Sequence, residues 1–230
     1  MFVGHYGVSF AAKKAEPAVP LWVLFIAVQL LDVLWAPFVL LGLEKVRIVP
    51  GITASNPLDL YYMPYTHSLL AAIGWSVVAF LAYRLAVRST SERAAAIVGL
   101  AVFSHWVLDF LVHQPDLPLY DNTAKVGLGL WNLPAVALGL EALLLFGAMW
   151  LYLRQTARRT AMLVFGVVML GIQAYVFFGP PPASDKAAAA TALIAYAVFA
   201  AVIRALERRA ARPHAGLTRH HGRAYNDGTL

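Results

Sequence analysis

The chain has 230 residues, of which 60% are hydrophobic and 13% charged, and its mean hydropathy is +0.67. This composition excludes an ordinary soluble domain and fits one helical membrane domain. The absence of cysteine excludes disulfides, thiol nucleophiles, iron–sulfur clusters and cysteine-ligated zinc. The net charge of +6 does not predict nucleic-acid binding, because most basic residues lie just outside apolar stretches, where they act as membrane topology signals.

The first predicted element is a short apolar stretch, residues 2–12, which is followed by Lys13 and Lys14. At ~1.5 Å per residue it is too short to cross a bilayer. It predicts a half-helix that begins inside a helical bundle and descends to the cytoplasmic surface. Because the stretch lacks the basic leading residues of a secretory signal, we expect the following span to remain in the mature protein.

Six longer apolar stretches follow, each approaching the ~20 residues that cross a bilayer as a helix. They cover residues 20–43, 68–87, 94–114, 133–153, 161–178 and 187–203. The predicted fold is therefore an all-α integral membrane protein with about six transmembrane helices and an N-terminal half-helix. Residues 1–155 form the helical domain that carries the polar cluster described below, residues 156–206 add two helices to the same bundle, and residues 207–230 form a basic, disordered cytoplasmic tail.

The distribution of Lys and Arg predicts the orientation of the chain. Fourteen basic residues lie on one side of the predicted spans and four on the other, the latter being Lys45, Arg47, Lys125 and Lys186. The positive-inside rule then places both termini in the cytoplasm. The two longest connections, residues 44–66 and 115–132, lie on the outer side, where they are long enough to cover a functional site.

Ionisable residues inside or at the ends of these spans are the main functional signal. A charge at the bilayer centre costs roughly 2.5–3.5 kcal/mol, so such residues persist mainly when they are paired, hydrated or bound to a metal. Counting residues along each helix places them at similar depths in the middle-to-outer half of the bundle. They are His5, Asp32, His67, His105, Asp109, His113 and Glu141.

The third span carries the densest part of this set. His105, Asp109 and His113 follow one another at four-residue intervals and therefore share one helix face. Imidazole and carboxylate together form a ligand set for Zn, Mn or Fe, and helical bundles build such sites from inward-facing pairs at this spacing. The pattern predicts a divalent metal site, with zinc as the first choice, and Asp32 or Glu141 as a general base.

Simpler interpretations exist for each residue. His5 and Asp32 could be packing residues, and Thr66 could be the N-cap of a helix that begins beside His67. Glu141 could be a neutral packing residue, His113 could be an inert interfacial residue, and Asp116 could be a solvated loop residue. The tail histidines His214, His220 and His221 carry no predicted role.

The order of four short motifs resembles the bacterial membrane-bound metal-dependent hydrolase family, whose members are described as LexA-binding, inner-membrane-associated hydrolases. The motifs are Gly4-His5, Leu31-Asp32, Thr66-His67-Ser68 and the His-x-x-x-Asp helix from His105 to Asp109. The family is distantly similar to zinc phospholipase C and P1-type nucleases. The resemblance covers roughly residues 1–115 and implies that His5, Asp32, His67, His105 and Asp109 are metal ligands, with looser matches at His113 and Glu141.

The function predicted from the residues and the resemblance is hydrolysis of an ester or phosphoester, with a lipid or another small molecule as substrate and the lipid bilayer as the surrounding partner. A transporter with an intramembrane His/Asp relay is the main alternative. A structural membrane protein, in which the buried polar residues join the helices, is the third.

Overall fold

The computed structural model describes residues 1–154 and 156–210. Within them the chain forms eight α-helices and one short antiparallel hairpin. The elements are α1 (His5–Ala15), α2 (Leu21–Val28), α3 (Leu30–Leu40), β1 (Lys45–Ile48), β2 (Leu58–Tyr62), α4 (Leu69–Ala86), α5 (Glu92–Val112), α6 (Pro134–Leu153), α7 (Arg159–Phe178) and α8 (Asp185–Ala210).

The helices fit a multi-pass membrane protein. By length and composition, the 5 helices α4 to α8 can each cross a membrane, and α2 and α3 together give a sixth span. The helical class and the separate N-terminal helix therefore agree with the prediction, and the number of candidate spans is five or six. The long helix α8 continues to Ala210, and residues 211–230, which hold the tail histidines, lie outside the described residues.

The first predicted span is not one continuous helix, which corrects the prediction for residues 20–43. Helices α2 and α3 meet at Gln29 with a bend of 53°. The His105 imidazole approaches this break and donates from Nδ1 to the Val28 carbonyl oxygen, 2.7 Å away. A side chain that takes a backbone carbonyl in this way is one of the recognised causes of a helix kink. Irregular backbone at membrane depth is tolerated here because it is buried in protein.

Helix α1 packs along α6, and both contribute to the same apolar core. The close approach depends on Gly7, because a Cβ at this position would collide with the backbone of Leu144. The core on either side is filled by large side chains such as Phe10, Phe25 and Met149. This packing holds the N-terminal residues deep inside the bundle.

The two long connections join into one layer over the end of the bundle, which we call the cap (residues 44–66 and 114–133). The first connection contains the β1–β2 hairpin, which the all-α prediction did not include. Its Ser55 hydroxyl donates to the Trp131 carbonyl (2.8 Å), and Lys125 donates to the Tyr61 carbonyl (2.8 Å). The cap lies where α4 begins and α5 ends, which is also where the polar side chains gather.

Candidate metal centre

The structure brings six of the seven predicted site residues together beneath the cap. They come from four helices: one from the start of α1, one from the first turn of α3, one from the residue before the N-cap of α4, and three from α5 and its C-cap. The six are His5, Asp32, His67, His105, Asp109 and His113. Five are buried, and Asp32 is partly exposed. Residues far apart in the chain thus meet at one level of the bundle, as their depths predicted.

His105 is oriented by the broken first span. Its Nδ1 contacts the Val28 carbonyl, which can only accept, so Nδ1 carries the proton. The opposite nitrogen, Nε2, lies 3.1 Å from Asp109 Oδ2 and 3.7 Å from Asp32 Oδ1, yet it makes no hydrogen bond. In the neutral ring this nitrogen carries a lone pair that faces two carboxylates. A lone pair facing two carboxylates is unfavourable unless the nitrogen binds a proton or a metal cation lies between them.

His67 is oriented by a chain of hydrogen bonds from the cap. The Thr66 hydroxyl donates to Glu44 Oε2 at 2.7 Å. The Thr66 hydroxyl oxygen also lies 2.7 Å from His67 Nδ1. Because the hydroxyl proton goes to Glu44, Nδ1 must donate to Thr66. Nε2 of His67 is then left to face Asp32 Oδ1 at 3.3 Å. A carboxylate that fixes the far nitrogen of an imidazole, here through a hydroxyl, is the usual outer support of a metal-binding histidine.

Glu44 itself is buried in the cap. Burial raises the pKa of the Glu44 carboxyl above its ordinary value, and the hydrogen bonds from Thr66 and Tyr65 offset part of this effect. The backbone amides of Tyr65 and Thr66 both donate to Oε1, at 2.8 and 2.9 Å. Thr66 therefore serves the site, and Ser68 is the N-cap of α4, which corrects the N-cap interpretation of Thr66.

His113 has the same type of support. Its Nδ1 donates to Asp116 Oδ1 at 2.8 Å, and its Nε2 lies 3.5 Å from Asp109 Oδ2. Asp116 is buried, in contrast to the expectation of a solvated loop residue. The Trp131 ring lies against the imidazole, with centroids 4.2 Å apart. Three histidines thus turn Nε2 toward Asp109, and two of them, His67 and His105, also face Asp32.

Asp109 is the centre of the cluster. Oδ1 lies 3.2 Å from His5 Nε2 and pairs with the α-amino group of Met1, while Oδ2 faces His67, His105 and His113. The His5 ring stacks on the His105 ring at a centroid distance of 3.9 Å. This stacking sets the two imidazoles in parallel planes, so their Nε2 atoms lie side by side next to Asp109.

Asp32 joins the cluster from the opposite side. The break at Gln29 places it in the first turn of α3, and the Tyr196 hydroxyl of α8 donates to its Oδ2 at 2.8 Å. The remaining oxygen, Oδ1, faces His67 and His105. The Asp32 side chain is 16% exposed against 3% for Asp109, so it is the carboxylate that solvent or a ligand can reach.

The donor set suits a divalent ion in type, spacing and charge. Two groups, His5–His105–Asp109 and Asp32–His67–His105, each place one ligand atom per residue within 4.8 Å of the others. In the described part of the chain no Lys or Arg pairs with Asp32 or Asp109, although the α-amino group of Met1 pairs with Asp109. Because His105 belongs to both groups and Nδ1 is already bonded, its single free nitrogen can serve only one ion.

Glu141 lies apart from these ligand groups. Its carboxylate accepts hydrogen bonds from the backbone amides of Phe2 (3.1 Å) and Gly4 (3.0 Å) and from the Gln173 side chain (2.9 Å). It holds the N-terminal segment that carries His5 in place. A role of Glu141 as a general base stays a prediction. Its contacts are those of a residue that positions His5.

Several supporting residues were not identified from the sequence. Glu44 and Tyr196 lie 22 and 164 residues from their partners Thr66 and Asp32, so no local spacing connects them. The sequence spacing could have indicated Asp116, because it follows His113 by three residues. A carboxylate so close to a candidate ligand is a signal for an outer hydrogen-bond partner.

No family model, curated protein or solved structure matches this chain. The fold and the cluster define the protein as a multi-pass helical membrane protein with buried His/Asp groups that could hold a metal ion.

Proposed function

We propose that the chain is a membrane-embedded, metal-dependent hydrolase of an ester or phosphoester. The observation that carries the proposal is the set of oriented imidazoles: three histidines have Nδ1 fixed by an acceptor outside the cluster and turn Nε2 toward Asp109, and two of these also face Asp32. This is the arrangement of metal-binding histidines with outer support. The resemblance to the bacterial membrane-bound metal-dependent hydrolases points to the same chemistry.

The ligands in this proposal are His5, Asp32, His67, His105 and Asp109, with His113 as a further ligand. Zn is the first choice and Mn or Fe are the alternatives, because the donors are nitrogen and oxygen. A bound divalent ion supplies an activated water nucleophile and a Lewis acid for the substrate oxygen. Asp32 and Asp109 supply negative charge for such an ion, and the α-amino group of Met1 offsets part of it at Asp109.

The protein side chains then accept a proton, orient the ligands and limit the access of water. Asp32 lines the open side of the cluster, so its carboxylate can take the proton of the attacking water. Tyr196 holds Asp32 through its hydroxyl and restricts its rotation. The buried Asp109 orients the imidazoles, and the cap limits access of bulk water to the cluster.

The proposal also includes the location of the protein. The family resemblance implies a bacterial-type inner membrane, and the excess of Lys and Arg on one side of the spans supports cytoplasmic termini. The cap and the cluster beneath it then lie toward the periplasm.

Metal analysis of the purified protein tests the proposal directly. We expect close to one or more equivalents of Zn, Mn or Fe by elemental mass spectrometry, with a purification tag that lacks histidine. Asp109→Asn and His105→Ala should each remove most of the metal, because they delete the shared ligands. Asp59→Asn is the matched control, since this carboxylate pairs with Arg47 on the hairpin.

Metal content that stays unchanged in both Asp109→Asn and His105→Ala would exclude the ligand set. If the protein carries no metal but takes up a solute in proteoliposomes under a pH gradient, the transporter interpretation replaces the hydrolase. Hydrolysis of p-nitrophenyl esters and phosphodiesters by the metal-loaded protein, lost in Asp32→Asn, would support the reaction class.

A further inference from the structure

A cavity of about 410 Å³ leads away from the His/Asp cluster. At the inner end its walls include four cluster residues: Asp32, His67, Asp109 and His113. Its volume lies within the ~300–1,000 Å³ of pockets for small organic ligands. The cluster therefore opens into a space that a substrate can fill, rather than into a narrow water channel.

The rest of the cavity is lined mainly by apolar side chains of α7 and α8. Ile172, Val176 and Phe177 line it from α7, and Ala188, Ala192 and Ala195 line it from α8. The alanines recur at four- and three-residue intervals, so they form one face of α8. We call this part of the cavity the α7–α8 groove.

The groove exists because the last two helices pack on different partners. Helix α7 packs on α6, whereas α8 packs on α2 and α3. Ile172, Val176 and Thr191 all border the groove and are exposed. Since α7 and α8 both qualify as membrane spans by length and composition, we infer that this side of the cavity faces the lipid phase, close to the α7–α8 turn whose prolines also line it. The groove therefore links the polar cluster with the acyl-chain region of the bilayer.

We propose that the substrate is a single-chain amphiphile that enters from the lipid. Its ester or phosphoester group lies at the His/Asp cluster, and its acyl or alkyl chain lies in the α7–α8 groove. This inference rests on the proposed function. Hydrolysis adds water across the ester bond: the acid product keeps the hydroxyl of the water, and the leaving alcohol takes a proton. A water-soluble substrate without a chain would leave the apolar groove empty, which is why we favour the amphiphile.

The test compares substrates that differ only in chain length. Purified, metal-loaded protein in nanodiscs is assayed with p-nitrophenyl butanoate and decanoate, and with ethyl and decyl p-nitrophenyl phosphate. The readout is the ratio of kcat/KM for the long substrate to that for the short one. Ala192→Phe narrows the groove from α8, and Val176→Trp narrows it from α7. Ile194→Phe is the control, because Ile194 is exposed on α8 and does not line the cavity.

We expect both groove variants to lower this ratio at least about tenfold relative to the wild type, the loss that corresponds to about two excluded methylene groups. The control should keep the wild-type ratio. Because the substrates partition equally into nanodiscs of every variant, the comparison removes the effect of their solubility. If the wild type and both groove variants have equal long-to-short ratios of kcat/KM, the proposal of an amphiphilic substrate is wrong. Hydrolysis of the short substrates would still support the proposed function.

A second measurement separates the two proposals if no ester is hydrolysed. Binding of decylphosphonate and ethylphosphonate to the same proteins is measured by calorimetry. The groove is a chain-binding site if the protein prefers the decyl compound and this preference is lost in Ala192→Phe but kept in Ile194→Phe. This result would support the groove even if the protein hydrolysed no ester. Equal binding of the two compounds would overturn it.

Discussion

At the scale of single residues, the Thr66 hydroxyl is the link between the cap and the cluster. It accepts from His67 Nδ1 and donates to the buried Glu44 carboxylate, so one oxygen sets the tautomer of the imidazole. Its loss would leave a buried donor and a buried acceptor without a partner. The residue therefore contributes to metal affinity without being a ligand.

Thr66→Val is expected to weaken metal binding by about 10–100-fold, the range found for outer hydrogen-bond partners of metal ligands. The measurement is competition with a chelator of known affinity. Thr66→Ser should restore most of the affinity because it keeps the hydroxyl. Thr123→Val is the control, since this hydroxyl bonds the Tyr120 carbonyl in an exposed part of the cap. Equal affinity in wild type and Thr66→Val would show that the hydrogen-bond chain does not support the site.

At the scale of elements, the position of His5 depends on the contact between α1 and α6. Glu141 of α6 binds the amides that precede α1, and Gly7 of α1 lies against the Leu144 backbone. The half-helix thus brings its histidine to the cluster through one polar and one steric contact. Moving α1 away from α6 would displace a predicted ligand.

Gly7→Ala is expected to destabilise the protein by about 1–3 kcal/mol, the usual cost of overpacking a close contact. It should also lower the metal content, because His5 moves with α1. Gly147→Ala on α6 is the matched control: no atom lies within 4 Å of an added Cβ, so we expect a gain of up to ~1 kcal/mol from better helix propensity. Thermal unfolding in detergent, followed by elemental analysis, measures both effects. An unchanged melting temperature in Gly7→Ala would contradict the close packing.

At the scale of the whole molecule, the orientation of the chain in the membrane decides on which side of the membrane the cap lies. Because the sequence has no cysteine, each single-cysteine variant reports on one position only. Ser89, between α4 and α5, and Tyr120, in the cap, are both exposed and lie on opposite ends of α5. They therefore mark the two sides of the membrane.

With both termini in the cytoplasm, Tyr120→Cys should react with a membrane-impermeant maleimide in intact spheroplasts. Ser89→Cys should react only after the membrane is permeabilised. Labelling is measured by the gel shift of the tagged protein. The opposite pattern would reverse the orientation inferred from the positive-inside rule and place the cap in the cytoplasm.

The sequence by itself determined the helical membrane class, the approximate positions of the five long helices and six of the seven residues that were expected to gather in one cluster. These features follow from local properties: apolar length defines a span, and the four-residue spacing of His105 and Asp109 fixes a shared helix face. Depth could be counted along each helix because the rise per residue is constant.

Only the tertiary structure decided how the cluster is supported. The break at Gln29, the Tyr196–Asp32 hydrogen bond, the attachment of Glu141 to the N-terminal segment and the α7–α8 groove all join residues far apart in the chain. Such contacts depend on which helices pack together and at what angle. Helix periodicity specifies the faces of each element but leaves the pairing of those faces to the packing of the whole bundle.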